Sequence, residues 1–318
     1  MTMALSLLLF VLGVALVFKG SDYFVDASVA IGERTGLPRI VVGGTLVSLA
    51  TTSPELTVSV IAGIDKVPGL AIGNALGSAA ANVGLVLALA VVLRPFEVTP
   101  GEFRWRSLVM LGFTILLFLI TLDLSLPRWR GFILVGLGII CLCFDYRRGR
   151  NRYAEAGAAF RDTPDVKPRS KRSIALFFLL GAAMVVGGSN LLVSSGSVIA
   201  ETIGVPPIVV GLTMVAIGTS LPELATAIAA VRKRVFDLSV GNLIGANLMN
   251  LTIVTGTAAS IFPLTLSRIT QVYTFPSILV ILMVFFLLVR TRNRLTRRDG
   301  VVLLSLYLAF VVGLVMLA

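Results

Sequence analysis

Thr51-Thr52-Ser53-Pro54-Glu55, then Gly73-Asn74-Ala75-Leu76-Gly77-Ser78, then Asn82, is a pattern the chain contains twice. It returns as Thr219-Ser220-Leu221-Pro222-Glu223, Gly241-Asn242-Leu243-Ile244-Gly245-Ala246 and Asn250. Each matched Pro, Glu, Gly and Asn lies 168 residues from its partner. Between Gly36 and Leu56, 12 of 21 positions equal the residue 168 places later. Apolar segments match by chance; shared Pro, Glu and Asn at one fixed offset do not. An internal repeat decides the architecture before any element is assigned.

Working outward, the chain of 318 residues is 57% hydrophobic and 14% charged, with a mean hydropathy of +0.98. Soluble domains carry about 25% charged residues, so this composition indicates an integral membrane protein. The net charge of +11 does not indicate nucleic acid. The basic residues sit in short clusters between apolar runs, as membrane topology requires, and no aromatic-basic interleaving is present. Cys141 and Cys143 are two apart and do not share a helix face, which argues against a disulfide or metal pair. The chain has no histidine, which removes His-based zinc sites and catalytic triads. Met1 to Phe18 lacks a basic leader and a small-residue cleavage site, so it is expected to span the membrane rather than serve as a signal peptide.

Ten spans are expected, near 2–19, 38–64, 69–93, 107–123, 130–146, 173–192, 206–231, 237–262, 270–289 and 300–317. The semi-polar stretches 21–35 and 189–203 extend the first and sixth spans or lie at the interface. With the N-terminus outside, 23 Lys and Arg fall on the inner side and 4 on the outer, a strong positive-inside bias. Residues 147–172 form a basic linker containing Pro164 and Pro168. The organisation is then a five-helix repeat over 1–146, the cytoplasmic linker 147–172, and a second five-helix repeat over 173–318. Five is odd, so the second copy enters the membrane upside down: an all-α polytopic protein of two inverted repeats, an architecture of transporters with midplane sites.

Glu55 and Glu223 lie deep in apolar segments, and no Lys or Arg lies mid-span to neutralise them. A carboxylate there costs several kcal/mol unless it meets a cation, water or a proton. Pro54 and Pro222 break the helices just before each Glu. The hydroxyls of Thr51, Thr52, Ser53, Thr219 and Ser220, with nearby carbonyls, supply the oxygens that hard cations require. Gly73 and Gly77, like Gly241 and Gly245, have the spacing that brings helices close. Asn74, Ser78 and Asn82 share a helix face, as do Asn242, Ala246 and Asn250. For Asn82 and Asn250 a wall of a cation site is favoured over interhelical amide bonding; for Asn74 and Asn242 both readings stand. Asp22 and Asp26 are expected in an interfacial or capping role, with an ion path as the other reading.

These motifs resemble the cation/Ca2+ exchanger superfamily, in particular the compact prokaryotic Na+/Ca2+ exchangers, over nearly the whole chain. The resemblance implies Glu55 and Glu223 as central Ca2+ ligands. It implies Thr51, Thr52, Thr219 and Ser220 as hydroxyl or backbone ligands for Ca2+ and Na+, Ser78 as a Na+ ligand, and Asn82 lining the site. The carbonyls of Ser48 and Ala216 join the Na+ positions. The sequence departs from the family pattern at Ala50 (for Gly), Ser53 (for an apolar residue), Ala246 (for Ser) and Asn250 (for Asp). Two carboxylates neutralise one Ca2+ but not three Na+.

The expected activity is therefore antiport of Ca2+ against Na+ by alternating access. H+ as the counter-ion, exchange of another divalent cation or of K+, a cation channel and, more remotely, an intramembrane enzyme built on Ser53 and Glu55 are the rivals. The expected partners are Ca2+, Na+ and the lipid bilayer. No cofactor, nucleic acid or obligate protein partner is expected, and the expected location is a prokaryotic cytoplasmic membrane.

Overall fold

The computed structural model describes residues 3–97, 100–156, 170–203, 218–291 and 294–317. Eleven helices are described: α1 Met3–Thr35, α2 Arg39–Thr51, α3 Ser53–Ile64, α4 Pro68–Leu93, α5 Pro100–Ile120, α6 Arg128–Ala156, α7 Lys171–Thr202, α8 Leu221–Arg232, α9 Phe236–Ile261, α10 Thr270–Thr291 and α11 Arg297–Leu317. Four two-residue strands punctuate them: β1 Phe96–Glu97, β2 Ser125–Leu126, β3 Leu264–Thr265 and β4 Arg294–Leu295. Eight of the helices are long and apolar enough to cross a bilayer, and α2 with α3, bent by 45°, makes a ninth. The expected seventh span, 206–231, is described from Gly218 onward; its earlier part lies outside the described residues, as does Ala216.

The 168-residue offset governs the element boundaries. α3 and α8 each have 12 residues and start 168 apart. α4 and α9 start at Pro68 and Phe236, and their π-helical turns start at Asn82 and Asn250. The offset reaches single dihedrals: Lys66 and Arg234, just past α3 and α8, have φ of 59° and 61°.

By compactness the chain falls into two units, Met1–Thr51 with Leu142–Asn242, and Thr52–Cys141 with Leu243–Ala318. In the first, α1 packs lengthwise on α7. The stretches 21–35 and 189–203 are continuous with the helices before them, giving 33 and 32 residues. The two run antiparallel. A methyl at Gly13 would sit 3.0 Å from the Gly188 carbonyl, and one at Gly20 3.1 Å from that of Gly181. Further along, Tyr23 meets Phe177 at 5.1 Å and Phe24 meets Phe178 at 4.8 Å. Gly13 and Gly181 are repeat mates, as are Gly20 and Gly188, so this seam maps onto itself when the copies are exchanged. Asp22 and Asp26 are anchored here by ion pairs rather than caps: Lys233 Nζ lies 2.7 Å from Asp26 and 3.7 Å from Asp22.

In the second unit, α3 and α4 form a hairpin around the short turn at 65–67. α11 closes on α4 where Gly84 and Gly300 leave room for Tyr307 and the Ala88 backbone. α10 lies on α5 through Phe118 and Phe275, 5.6 Å apart, and Gln271 Nε2 donates to the Phe118 carbonyl at 3.0 Å. β1 pairs antiparallel with β4, and β2 with β3. Buried cores of Ala, Val, Leu and Phe contrast with large exposed apolar side chains such as Phe132, Ile140 and Met316. That inside-and-outside apolarity suits a solvent of lipid, in which backbone groups must be satisfied within helices. α6 continues to Ala156, so residues 147–156 of the expected linker are helical, and 157–169 lie outside the described residues.

Candidate cation site

The proline that ends one helix also starts the next. Thr51 closes α2, Thr52 takes φ −81° and ψ −1°, and α3 begins at Ser53 with Pro54 in its first turn. Proline is tolerated there because the first N–H groups of a helix have no intrahelical acceptor. Glu55 is consequently in the first turn of α3, and Glu223, by the same construction after Ser220 and Pro222, in the first turn of α8. The partial positive charge of a helix N-terminus favours a carboxylate at this position. Both glutamates are fully buried.

Thr52-x-x-Glu55 and Ser220-x-x-Glu223 have the spacing of a capping box, in which the hydroxyl would bond the helix N-terminus. Neither does so: Thr52 and Ser220 make no side-chain cap bond. Thr52 Oγ1 and Ser220 Oγ are buried without a hydrogen-bond partner among the described residues. A buried hydroxyl left this way costs about 1–3 kcal/mol.

In the second unit, Asn74 Nδ2 donates to the Glu55 carbonyl at 3.0 Å and to Ser59 Oγ at 2.9 Å. Its Oδ1 is buried without a partner among the described residues. Ser78 lies one turn further along α4 and is buried. Asn82 Nδ2 donates to Asn247 Oδ1 at 2.9 Å, and Asn82 Oδ1 has no partner among the described residues. Asn250 is fully buried, with neither side-chain atom bonded among the described residues. Its carbonyl accepts from Thr255 Oγ1 at 2.7 Å, a bond across the widened π turn. π turns inserted in α-helices recur at functional positions. α3 packs on α4 and on the π turn at Asn250, and α4 packs on that turn as well.

In the first unit, Thr51 Oγ1 donates to Asn242 Oδ1 at 3.1 Å, and Asn242 Nδ2 donates to Thr226 Oγ1 at 3.1 Å. Thr226 lies 3.0 Å from the carbonyls of Pro222 and Glu223. A line of polar bonds thus connects Thr51 with the turn that carries Glu223. The hydroxyl serving the amide shifts by one register between copies: Ser59 in the first, Thr226 in the second, although their repeat mates are Ala227 and Val58. Ser48 is buried with its hydroxyl turned to the Thr45 carbonyl, and Thr219 is buried beside Ser220.

Gly241 has the expected packing role, since a side chain there would strike the Ile40 backbone. Gly73 and Gly77 do not. A methyl at either would meet nothing within 4 Å among the described residues. Identical spacing therefore serves different surroundings in the two copies. Asn247 is the residue the sequence did not single out; its repeat mate is Ala79, so no recurrence marked it. Among the described residues no three acidic, Cys or His side chains group as a metal site.

The sequence matches the family model described as sodium/calcium exchanger protein over residues 5–147 and 173–316. It is 34% identical to the inner membrane protein YrbG of Escherichia coli over 99% of this chain and 97% of that one. It is 29% identical to the sodium/calcium exchanger MaX1 of Methanosarcina acetivorans over 96% and 97%. Its structure resembles that of the sodium-calcium exchanger NCX_Mj soaked with Na+ and Sr2+, with a TM-score of 0.85, 27% identity, and coverage of 98% of this chain and 99% of that one. The repeated Pro-Glu helix starts, the two asparagine π turns and these matches together place the chain in the sodium/calcium exchanger family.

Proposed function

We propose that this protein is a secondary antiporter that carries Ca2+ out of the cell against Na+ entering down its gradient. The observation carrying this reading is the set of buried oxygen acceptors, unbonded among the described residues, that accompany fully buried carboxylates: Thr52 Oγ1 and Asn74 Oδ1 beside Glu55, Asn82 Oδ1 two turns further along α4, and Ser220 Oγ beside Glu223. Ca2+ takes six to eight oxygen ligands and accepts mixed carboxylate, amide and hydroxyl sets. Glu55 and Glu223 neutralise one Ca2+. Thr51, Thr52, Thr219, Ser220, Ser78, Asn82, Asn250 and the carbonyls of Ser48 and Ala216 complete the Ca2+ and Na+ positions. Na+ occupies overlapping oxygens, so the two ions compete, and alternating access between inverted halves 1–146 and 173–318 turns competition into exchange. The relation of α1 to α7 supports the inversion, because repeat mates that run antiparallel enter a membrane from opposite sides. Both termini then lie outside and the linker 147–172 is cytoplasmic.

The test is uptake of radioactive Ca2+ into proteoliposomes of purified protein, loaded with Na+ and diluted into Na+-free buffer. Uptake that requires internal Na+ supports the proposal. Uptake that follows an imposed pH gradient without Na+ would overturn the choice of counter-ion. Fast flux with no counter-ion requirement would make the protein a channel.

A further inference from the structure

We infer that Asn247 is a positioning residue that orients Asn82 so that its amide oxygen, not its NH2 group, faces the transported cation; this rests on the reading of Asn82 as a ligand given above. Asn247 lies on α9 and is fully buried. Its NH2 group is engaged twice, with the Ala79 carbonyl at 3.0 Å and with Met110 Sδ at 3.4 Å. Those two contacts fix which end of the amide is oxygen. Turned over, Asn247 would set Oδ1 against the Ala79 carbonyl, acceptor against acceptor. Its Oδ1 therefore receives Asn82 Nδ2, and Asn82 has one orientation left, with Oδ1 directed away from Asn247. That oxygen is buried and bonded to nothing among the described residues.

An unheld amide beside a cation has no such constraint. It can present either end, and its N–H end repels the ion. Residues that orient a metal ligand without touching the metal affect affinity by about 10–100-fold. The arrangement occurs once. The position matching Asn247 in the first copy is Ala79, which has no polar side chain to offer Asn250, and the Asn250 side chain is correspondingly unbonded among the described residues. Asn247 thus belongs by sequence to the second copy and serves the ligand of the first.

The experiment is a double-mutant cycle on Na+-driven Ca2+ uptake in proteoliposomes, using Asn82→Ala, Asn247→Ala and the double variant, with melting temperature in detergent measured in parallel. Asn247→Ala is expected to raise the KM for Ca2+ about tenfold, and the double variant is expected to be no worse than Asn82→Ala alone. A residue acting independently would multiply the two effects. An unchanged KM in Asn247→Ala, or multiplying effects, would overturn the inference. Where the alanine variant loses its melting transition, Asn247→Ser is read by the same criteria. Wild-type uptake and its loss in Glu55→Gln are run alongside. If those fail, the site reading fails; if they hold while Asn247→Ala is silent, only the role of Asn247 falls.

Discussion

Asn82 and Asn250 begin the same π turn on matching helices, 168 residues apart, yet they are secured by different means. Asn82 is held through its side chain, by Asn247. Asn250 is held through its backbone, by the Thr255 hydroxyl on its carbonyl, while its side-chain amide makes no bond among the described residues. In the first copy Leu87 occupies the place of Thr255, and in the second Ala79 mirrors Asn247, so each brace is exclusive to one copy. The asparagines at 74 and 242 differ in a similar way. Asn242 bonds at both ends, whereas the oxygen of Asn74 is unmet among the described residues. Each copy thus holds one of its two asparagine side chains more fully than the other copy does, the first at Asn82 and the second at Asn242.

The largest effect tests whether the copies are equal where they look most alike. Glu55→Gln and Glu223→Gln should each lower Na+-dependent Ca2+ uptake at least about a hundredfold, ~2.7 kcal/mol, since the loss of a buried charge partner costs about 2–5 kcal/mol. Melting temperatures should be preserved. Activity surviving in one variant would mean that a single carboxylate holds the ion.

Next comes the contrast between the asparagines themselves. Asn82→Ala should raise the KM for Ca2+ about tenfold, and Asn250→Ala only about two- to threefold, because an amide that is not preorganised gives up part of its binding energy to ordering. Equal effects would break the comparison. A smaller difference is expected in stability. Asn242→Ala and Asn74→Ala each sever two interhelical bonds worth about 0.6 kcal/mol apiece, so their melting temperatures should fall to within about 1–3 °C of each other.

The smallest effect concerns a contact with no counterpart in the other copy. Lys233 pairs with Asp26 and Asp22, whose repeat mates are Ser194 and Asn190. All three side chains are partly exposed, so Lys233→Met should cost about 0–1 kcal/mol, less at high salt. A larger loss in a thermal melt would show that the pair is shielded by lipid.

Much of this was legible in the sequence because the membrane makes it so. Continuous apolar runs marked the spans, and Glu55 and Glu223 stood out as charges in hydrocarbon. The Pro-Glu order also marked two helix starts, although their helix-end electrostatics became evident with the observed boundaries. Other features depend on which distant residue arrives nearby. Asp26 and Lys233 are 207 positions apart. Asn247 resembled any polar residue on a helix until Ala79, Asn82 and Met110 surrounded it. A methyl at Gly73 or Gly77 would meet no neighbour among the described residues, because spacing specifies a face but not what covers it. The helical start of the linker escaped because hydropathy is silent about polar helices.

The left-handed residues at Lys66 and Arg234 have a structural consequence. For a side chain other than glycine, that conformation costs about 1–2 kcal/mol. Neither copy has drifted to glycine there, and neither has relaxed to another turn. The residues differ, yet the unfavourable shape is common to both. What the two copies share at this place is a bend rather than a residue, and the bend turns the asparagine helix back towards the glutamate helix in each.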